Sequence, residues 1–309
     1  MERLTFLDLC SGIGGFRCAL ESIGHRCVGY CEIDRHARAS YEAMFDTEGE
    51  WKRDDINDLR AEEIPYADIW CFGFPCQDIT NEGKMRGLDG ERSGLFLKIM
   101  ELIKEKLEGE RPTYLLIENV RNLLSVNGGW DFARVLSELD TAGYDCRWQL
   151  LDSRWFGVPQ RRERVYIIGY LRSRGRREIL PIRGTYTTAP VPGGPDGPSV
   201  KVKNATKSGY AIAHVGDGIN LAYPDSETRR GRVGSGVAQT LVCSGQMGTL
   251  TEDGRIRRLT PREYFRLQGF PDELYERAAK VCTETQLYKQ AGNAVTVNVA
   301  RAVALALPR

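Results

Sequence analysis

Cys76 stands between Pro75 and Gln77 in GFPCQDIT (residues 73–80), directly after the apolar run ADIWCFG (67–73). A free cysteine is usually a small buried hydrophobe. A thiol placed where a strand gives way to a glycine-rich loop is also where a nucleophile would be presented, and a nearby helix N-terminus would favour its thiolate. Glu118 and Asn119 lie at the end of a second apolar run, TYLLIENV (113–120). If both runs are strands of one parallel sheet, they end at the same edge, and Cys76 and Glu118 face one cleft. A thiolate beside a protonatable carboxyl suits addition to an electron-poor ring, with sulfur attacking one carbon while the acid protonates a ring nitrogen. No Cys–His or Ser–His pair is evident, which disfavours protease-type activation. Taken singly, each residue is read as structural before it is read as catalytic.

A second group of residues points to an adenosine-bearing cofactor. DLCSGIGG (8–15) reads as a strand, a glycine turn and the start of a helix. That arrangement offers backbone N–H groups to a ligand, and only glycine permits so close an approach. The order Gly12-Ile13-Gly14-Gly15 is not the dinucleotide fingerprint G-x-G-x-x-G. Glu32, ending RCVGYCE, is placed to accept hydrogen bonds from ribose hydroxyls, and Asp55 in RDDIND to accept one from an adenine amine. A tight structural turn with a surface acid is the alternative.

The elements that must position these residues follow from the apolar runs. Residues 4–10, 26–32, 67–73, 113–120, 145–152 and 164–171 read as strands, several of them apolar throughout. Helical stretches follow the first two strands, and RSGLFLKIMELIKEKLEG carries helical spacing before the fourth. This alternation predicts an α/β fold with a parallel-type sheet covered by helices on both faces. From about Arg172 the chain turns to Gly, Pro, Thr and Arg, with TTAPVPGGPDGPS (187–199), which reads as a small irregular domain; pieces such as VAQTLVC look strand-like. Helix signals resume at LTPREYFRLQG, where Thr260, Pro261 and Glu263 form a start, and a last helix is expected over 293–307.

The 309 residues carry 43 Lys+Arg against 42 Asp+Glu. The distribution is uneven: residues 1–170 hold 22 basic against 30 acidic, and residues 171–258 hold 14 against 7. A basic segment on an acidic body suggests contact with a polyanion, although a solvated basic loop would look the same. Nine cysteines without a CxxC pair and three scattered histidines argue against a zinc site or a disulfide framework. No membrane-length apolar run and no signal-peptide pattern are present, so a cytoplasmic location is expected.

PCQ (75–77), ENV (118–120), QRRERVYIIG (160–169) and QAGNAV (290–295), in this order and with these spacings, resemble the DNA (cytosine-5) methyltransferases of bacterial and phage restriction–modification type. The resemblance covers nearly all the chain outside residues 172–257. It implies a Rossmann-like class I S-adenosylmethionine-dependent methyltransferase sheet over 1–171, a small, irregular, mainly β target-recognition domain over 172–257, and a return to the catalytic domain over 258–309. It further implies that S-adenosylmethionine, leaving as S-adenosylhomocysteine, is bound by Asp8, Cys10, Gly12, Ile13, Gly14, Gly15, Glu32, Ile33, Asp55, Ile56, Gly73, Pro75, Leu95, Asn293 and Val295, with no metal. Cys76 would attack carbon 6 of a flipped cytosine, Glu118 would contact ring nitrogen 3, Arg164 would steady the base, and Arg162 would serve the loop or the phosphates. Cys10 departs from the family, which often has an aromatic residue there to stack on the adenine; weaker stacking is expected, with Ile33 adding apolar contact.

The partner implied is double-stranded DNA, met by a monomer, with a cognate restriction endonuclease acting separately as an option. Flipping the target costs a few kcal/mol. The glycine-containing stretch after Cys76 resembles the family's closing loop, with Gln77 filling the space the base leaves and Thr80 and Arg92 on phosphates. In the basic segment, Thr240 of the Thr-Leu pair (240–241) would lie near the DNA backbone, and Arg230 or Arg232 would read a guanine, with Gln239 and Gln246 as further candidates. A nicotinamide dehydrogenase would share the strand–glycine–helix start but leaves PCQ, ENV and QRRER unexplained. An RNA cytosine-5 methyltransferase of the same lineage uses the same motifs. A non-catalytic DNA-binding relic would be expected to have lost Cys76 or Glu118.

Overall fold

The computed structural model describes residues 3–74, 94–175, 181–184 and 197–307. They fall into two compact units: residues 1–151, 163–183 and 299–309 make the first, and 152–162 with 184–298 the second.

The first unit is a seven-stranded sheet in the order β3-β2-β1-β4-β5-β7-β6, flanked by helices. β1 (Thr5–Leu9), β2 (Arg26–Cys31), β3 (Trp51–Arg53), β4 (Ile69–Gly73) and β5 (Tyr114–Val120) run parallel, and β7 (Glu163–Leu171) runs antiparallel to β5; β6 is Tyr144–Asp152. The chain builds outward from β1 through β2 to β3, then crosses to β4 on the other side of β1. The order therefore reverses between β1 and β4, and in open α/β sheets ligands bind beyond the carboxyl ends of the strands at such a point.

Hydrophobic burial fixes this arrangement. α3 (Gly94–Glu105) turns Phe96, Ile99, Met100 and Ile103 inward at helical spacing, joining a core with Leu9, Phe72 and Ile117 from the strands and Val135 and Leu139 from α4 (Trp130–Thr141). Each such side chain contributes about 1.5–3 kcal/mol. α1 (Gly15–Glu21) begins after Gly14, whose φ of +81° and close approach exclude a side chain; a Cβ there would stand 2.5 Å from the Phe45 ring. α2 (Arg35–Met44) is capped by Asp34, which accepts the His36 and Ala37 N–H groups.

The second unit holds a two-stranded pair, β8 (Ser199–Lys203) with β9 (Tyr210–His214). A four-stranded antiparallel sheet, β11-β10-β12-β13, is built from Gly218–Asn220 (β10), Val233–Gly234 (β11), Met247–Leu250 (β12) and Ile256–Arg258 (β13). Val202, Ala213, Ile219 and Leu250 form a small core. Then come α5 (Pro261–Leu267), α6 (Asp272–Ala278) and α7 (Glu284–Asn293); α8 (Val297–Leu305) carries the chain into the first unit. No helix among the described residues is long and apolar enough to cross a membrane.

Several expectations are corrected. The sheet is mixed rather than wholly parallel, because β7 pairs antiparallel to β5. β3, three residues with little burial, carried no readable signal. VAQTLVC is not a strand: Ala238 makes one bridge to Gln160, and its N–H donates to the Pro159 carbonyl. The last helix starts at Val297 rather than 293, because Asn293 ends α7 and Ala294 is extended. By compactness, residues 258–298 group with the second unit rather than with the first. The Thr260 start is a full capping box, with Thr260 Oγ1 and the Glu263 carboxylate exchanging backbone N–H bonds and Pro261 in the first turn.

Candidate active site

At the carboxyl end of β1 the chain turns through Cys10 (φ +53°) and Gly12 (φ +56°) into α1. Glu32, just past β2, closes this turn: Oε2 accepts the Gly12 N–H at 2.7 Å and Oε1 the Asp34 N–H at 2.8 Å. Burial raises the Glu32 carboxyl above the ordinary carboxylate range, and these two N–H groups pull it back. Each oxygen keeps a second acceptor position. Beside it Ile33 is 67% exposed, which leaves an apolar surface open next to the carboxylate. Among the described residues, a Cβ at Gly12 would meet nothing within 4 Å, and the buried Ser11 Oγ has no hydrogen-bond partner. An open glycine turn, an acceptor-rich carboxylate and an exposed aliphatic residue at the switch point fit an adenosine-bearing group. Asp55 is half-buried, its Oδ1 capping the turn at 56–58 by accepting from Asn57, while Ile56 is buried.

Other residues expected at the cofactor lie beneath the turn. Asp8 is wholly buried: Tyr41 Oη donates to Oδ2 at 3.4 Å, and Oδ1 finds no partner among the described residues. Burial holds its carboxyl well above the usual range, against the pull of Arg17. Ile13 and Gly15 are likewise buried, and Leu95 packs partly against the core. Arg17, which sequence reasoning passed over, anchors this layer: it donates to both Glu50 oxygens and the Asp46 carbonyl and lies over the Tyr41 and Phe45 rings.

The carboxyl ends of β4 and β5 meet as expected, with Gly73 opposite Glu118. A Cβ at residue 73 would stand 3.3 Å from Glu118 Oε2, so glycine keeps that face of the carboxylate clear. Arg164 on β7 places Nε 3.1 Å from Glu118 Oε1, and both side chains are largely buried. Asn119, next along β5, donates from Nδ2 to the Phe74 carbonyl at 3.3 Å. It thereby holds the backbone just ahead of Pro75 and Cys76. Sequence reasoning grouped Asn119 with the motif without giving it this task. Pro75, Cys76, Gln77, Thr80 and Arg92 lie outside the described residues.

In the second unit, Arg162 is 3% exposed and donates to the Ala294 carbonyl, so it holds the break between α7 and α8 and is not open to phosphates. Asn293 is exposed and accepts from the Cys243 thiol, while Val295 is half-buried. Thr240 Oγ1 donates to the Arg161 carbonyl and Gln239 Nε2 to the Gly231 carbonyl; Gln246 is half-buried. A buried amide network was not anticipated. Gln160 Nε2 donates to the Leu267 carbonyl and Gln268 Oε1, Gln268 Nε2 donates to the Ala291 carbonyl, and Thr296 Oγ1 donates to Gln268 Oε1. It joins QRRER, RLQG and QAGNAV by side chains. Of the two arginines weighed for guanine reading, Arg230 is exposed and Arg232 is 3% exposed, its guanidinium spent on four main-chain carbonyls. Among the described residues no group of three His, Cys, Asp or Glu side chains is placed to hold a metal ion.

Residues 4–309 match the family model described as C-5 cytosine-specific DNA methylase. The chain is 33% identical to the Type II methyltransferase M.HhaI of Haemophilus parahaemolyticus over 97% of its length and 93% of that protein's. It is 30% identical to the Type II methyltransferase M.DsaV of Dactylococcopsis salina, covering 98% and 85%. In fold it is similar to the crystal structure of the S. pombe Dnmt2 methyltransferase, with a TM-score of 0.68, 22% identity and 98% of each chain covered. The protein belongs to the C-5 cytosine-specific DNA methylases, and its chemistry is S-adenosylmethionine-dependent methyl transfer to carbon 5 of cytosine.

Proposed function

We propose that the protein methylates carbon 5 of a flipped-out cytosine within a specific double-stranded DNA sequence, with Cys76 as the covalent nucleophile. The observation that supports it most is the Glu118–Arg164 pair at the edge where β4 ends, three residues short of Cys76. Cys76 adds to carbon 6 while Glu118 holds a proton at ring nitrogen 3, which moves electron density to carbon 5. Arg164 fixes the Glu118 carboxyl and steadies the base. Bound S-adenosylmethionine supplies the electrophilic methyl group that carbon 5 takes. Loss of the carbon 5 proton then expels the Cys76 sulfur and restores the aromatic ring. Glu32, Ile33 and Asp55 are assigned to the ribose and adenine, and the turn at Gly12 to the remainder.

Duplex DNA is favoured over RNA by the variable segment between QRRER and RLTPRE with its Thr-Leu pair (240–241), which resembles a target-recognition domain, and by the likeness to Type II methyltransferases. Conversion-based sequencing of unmethylated DNA after incubation with S-adenosylmethionine should protect cytosines in one recurring context. Duplexes carrying 5-fluorocytosine there, from which no carbon 5 proton can leave, should trap a covalent complex with the native chain and none with Cys76→Ser. Methyl label appearing only in RNA would overturn the substrate, and trapping by Cys76→Ser would overturn the nucleophile.

A further inference from the structure

Arg232 organises a short loop of the second unit. Its Nη1 donates to the carbonyls of Tyr223 (3.0 Å) and Pro224 (2.9 Å), and its Nη2 to those of Asn220 and Ala222 (both 3.1 Å). Four acceptors in five consecutive residues converge on one buried guanidinium, which makes residues 220–224 a rigid platform instead of a floppy connection. Asn220 Oδ1 tightens it by accepting the Ala222 N–H.

Tyr223 stands at the tip of that platform. Its φ is +50°, a left-handed conformation that an aromatic residue rarely adopts, and its side chain is 68% exposed. A residue kept in a disfavoured backbone region while its ring projects into solvent is held there by its surroundings, and such positions gather at binding sites. The guanidinium of Arg229 lies over the ring, 4.6 Å from its centroid. Among the described residues no hydrogen bond or ion pair engages the side-chain N–H groups of Arg229, whereas the neighbouring acid Glu227 is paired with Lys203.

Stacking fixes the plane of the guanidinium and leaves its edge donors free. A phosphate grip gains little from a fixed plane, since phosphate oxygens accept from many directions. A bidentate approach to the O6 and N7 edge of a guanine needs one orientation, and holding it beforehand removes an ordering cost. Resting on the reading above that duplex DNA is the substrate, we propose that Tyr223 presents Arg229 to a base edge of the target sequence, so that Arg229 sets discrimination at one base pair while Arg232 is the buried support of the loop.

The test uses the full chain and a duplex library randomised around a fixed cytosine, with methylation read by conversion sequencing. Arg229→Ala should lower preference at one base pair about tenfold or more and leave the other positions as in the native profile. Arg229→Lys, which keeps the charge without the fork, should relax the same position. Tyr223→Ala should relax it about threefold to tenfold, and Tyr223→Phe should not, because the ring and not the hydroxyl supplies the stack. An even loss across all sequences, with a shallower salt dependence, would make Arg229 a phosphate contact and overturn the proposal. An unchanged profile, or relaxation by Arg230→Ala in its place, would overturn it too. If the native chain methylates no duplex cytosine, the substrate reading itself falls and this inference with it.

Discussion

Arg164 reaches diagonally across the β5–β7 ladder, where its own partner is Val120, to set Nε 3.1 Å from Oε1 of Glu118. The antiparallel course of β7 is what brings an arginine from the strand's beginning to the carboxyl end of β5. Glu118→Gln removes the transferable proton and should lower kcat about 100-fold or more. Arg164→Ala, which frees the carboxyl, should lower it about tenfold or more. In both variants S-adenosylmethionine affinity, measured by calorimetry, should stay within about twofold of native. A matching loss of affinity would place the pair in cofactor binding.

Cys10 sits in a left-handed turn beside the Glu32 carboxylate, and burial pushes its thiol well above the usual range, so it is a neutral packing group. Replacing it with Phe should tighten cofactor binding severalfold if ring stacking is what the turn lacks, a gain of about 0.5–1.5 kcal/mol. Unchanged or weaker affinity in equilibrium dialysis would count against that reading.

Gln268 is wholly buried, and its amide serves Thr296, Gln160 and the Ala291 carbonyl at once. Gln268→Leu leaves a buried hydroxyl and a buried carbonyl without their partner. Destabilisation by about 2–4 kcal/mol is expected, visible as a lowered thermal midpoint. A shift within experimental error would mean that the network relaxes around the leucine.

The Glu263 carboxyl is pulled from 4.5 down to about 2 by the Arg257 guanidinium, with help from the Thr260 N–H and hydroxyl. Because its folded value is depressed, its contribution is complete above about pH 4.5 and is lost as pH falls toward 2. Glu263→Gln should therefore destabilise by on the order of 1 kcal/mol at neutral pH, a size limited by solvent screening. The gap from native should close in denaturant titrations run at successively lower pH. A gap that does not depend on pH would assign the effect to cap geometry alone.

The sheet was legible because its strands are apolar on both faces and its turns carry Gly or a capping residue: TFLDL, IWCFG and YLLIENV announce themselves, as does the Thr260 cap. Strand direction was not. An apolar run such as RVYIIGYL buries both faces whichever way it runs, so no periodicity distinguishes β7 antiparallel from β7 parallel. Arginine fates were equally hidden. Arg230 and Arg232 look alike in TRRGRVG, yet only Arg232 meets four carbonyls from residues 220–224, a convergence that exists once the loop is folded. Arg162 and Arg164, two apart in QRRER, part in the same way, one taken up by the Ala294 carbonyl and the other by Glu118.

The larger unit is assembled from three separated stretches, the last beginning at Val299, after the 115 residues from Gly184 to Asn298 have been spent on the smaller one. On a ribosome that order matters. Chains emerge at about 5–20 residues per second, so the strands of the sheet are out of the exit tunnel for several seconds or more before Val299, Ala300, Val303 and Ala304 arrive to be buried. A nascent chain in that interval still lacks the last stretch of its larger unit, a natural station for a ribosome-associated chaperone.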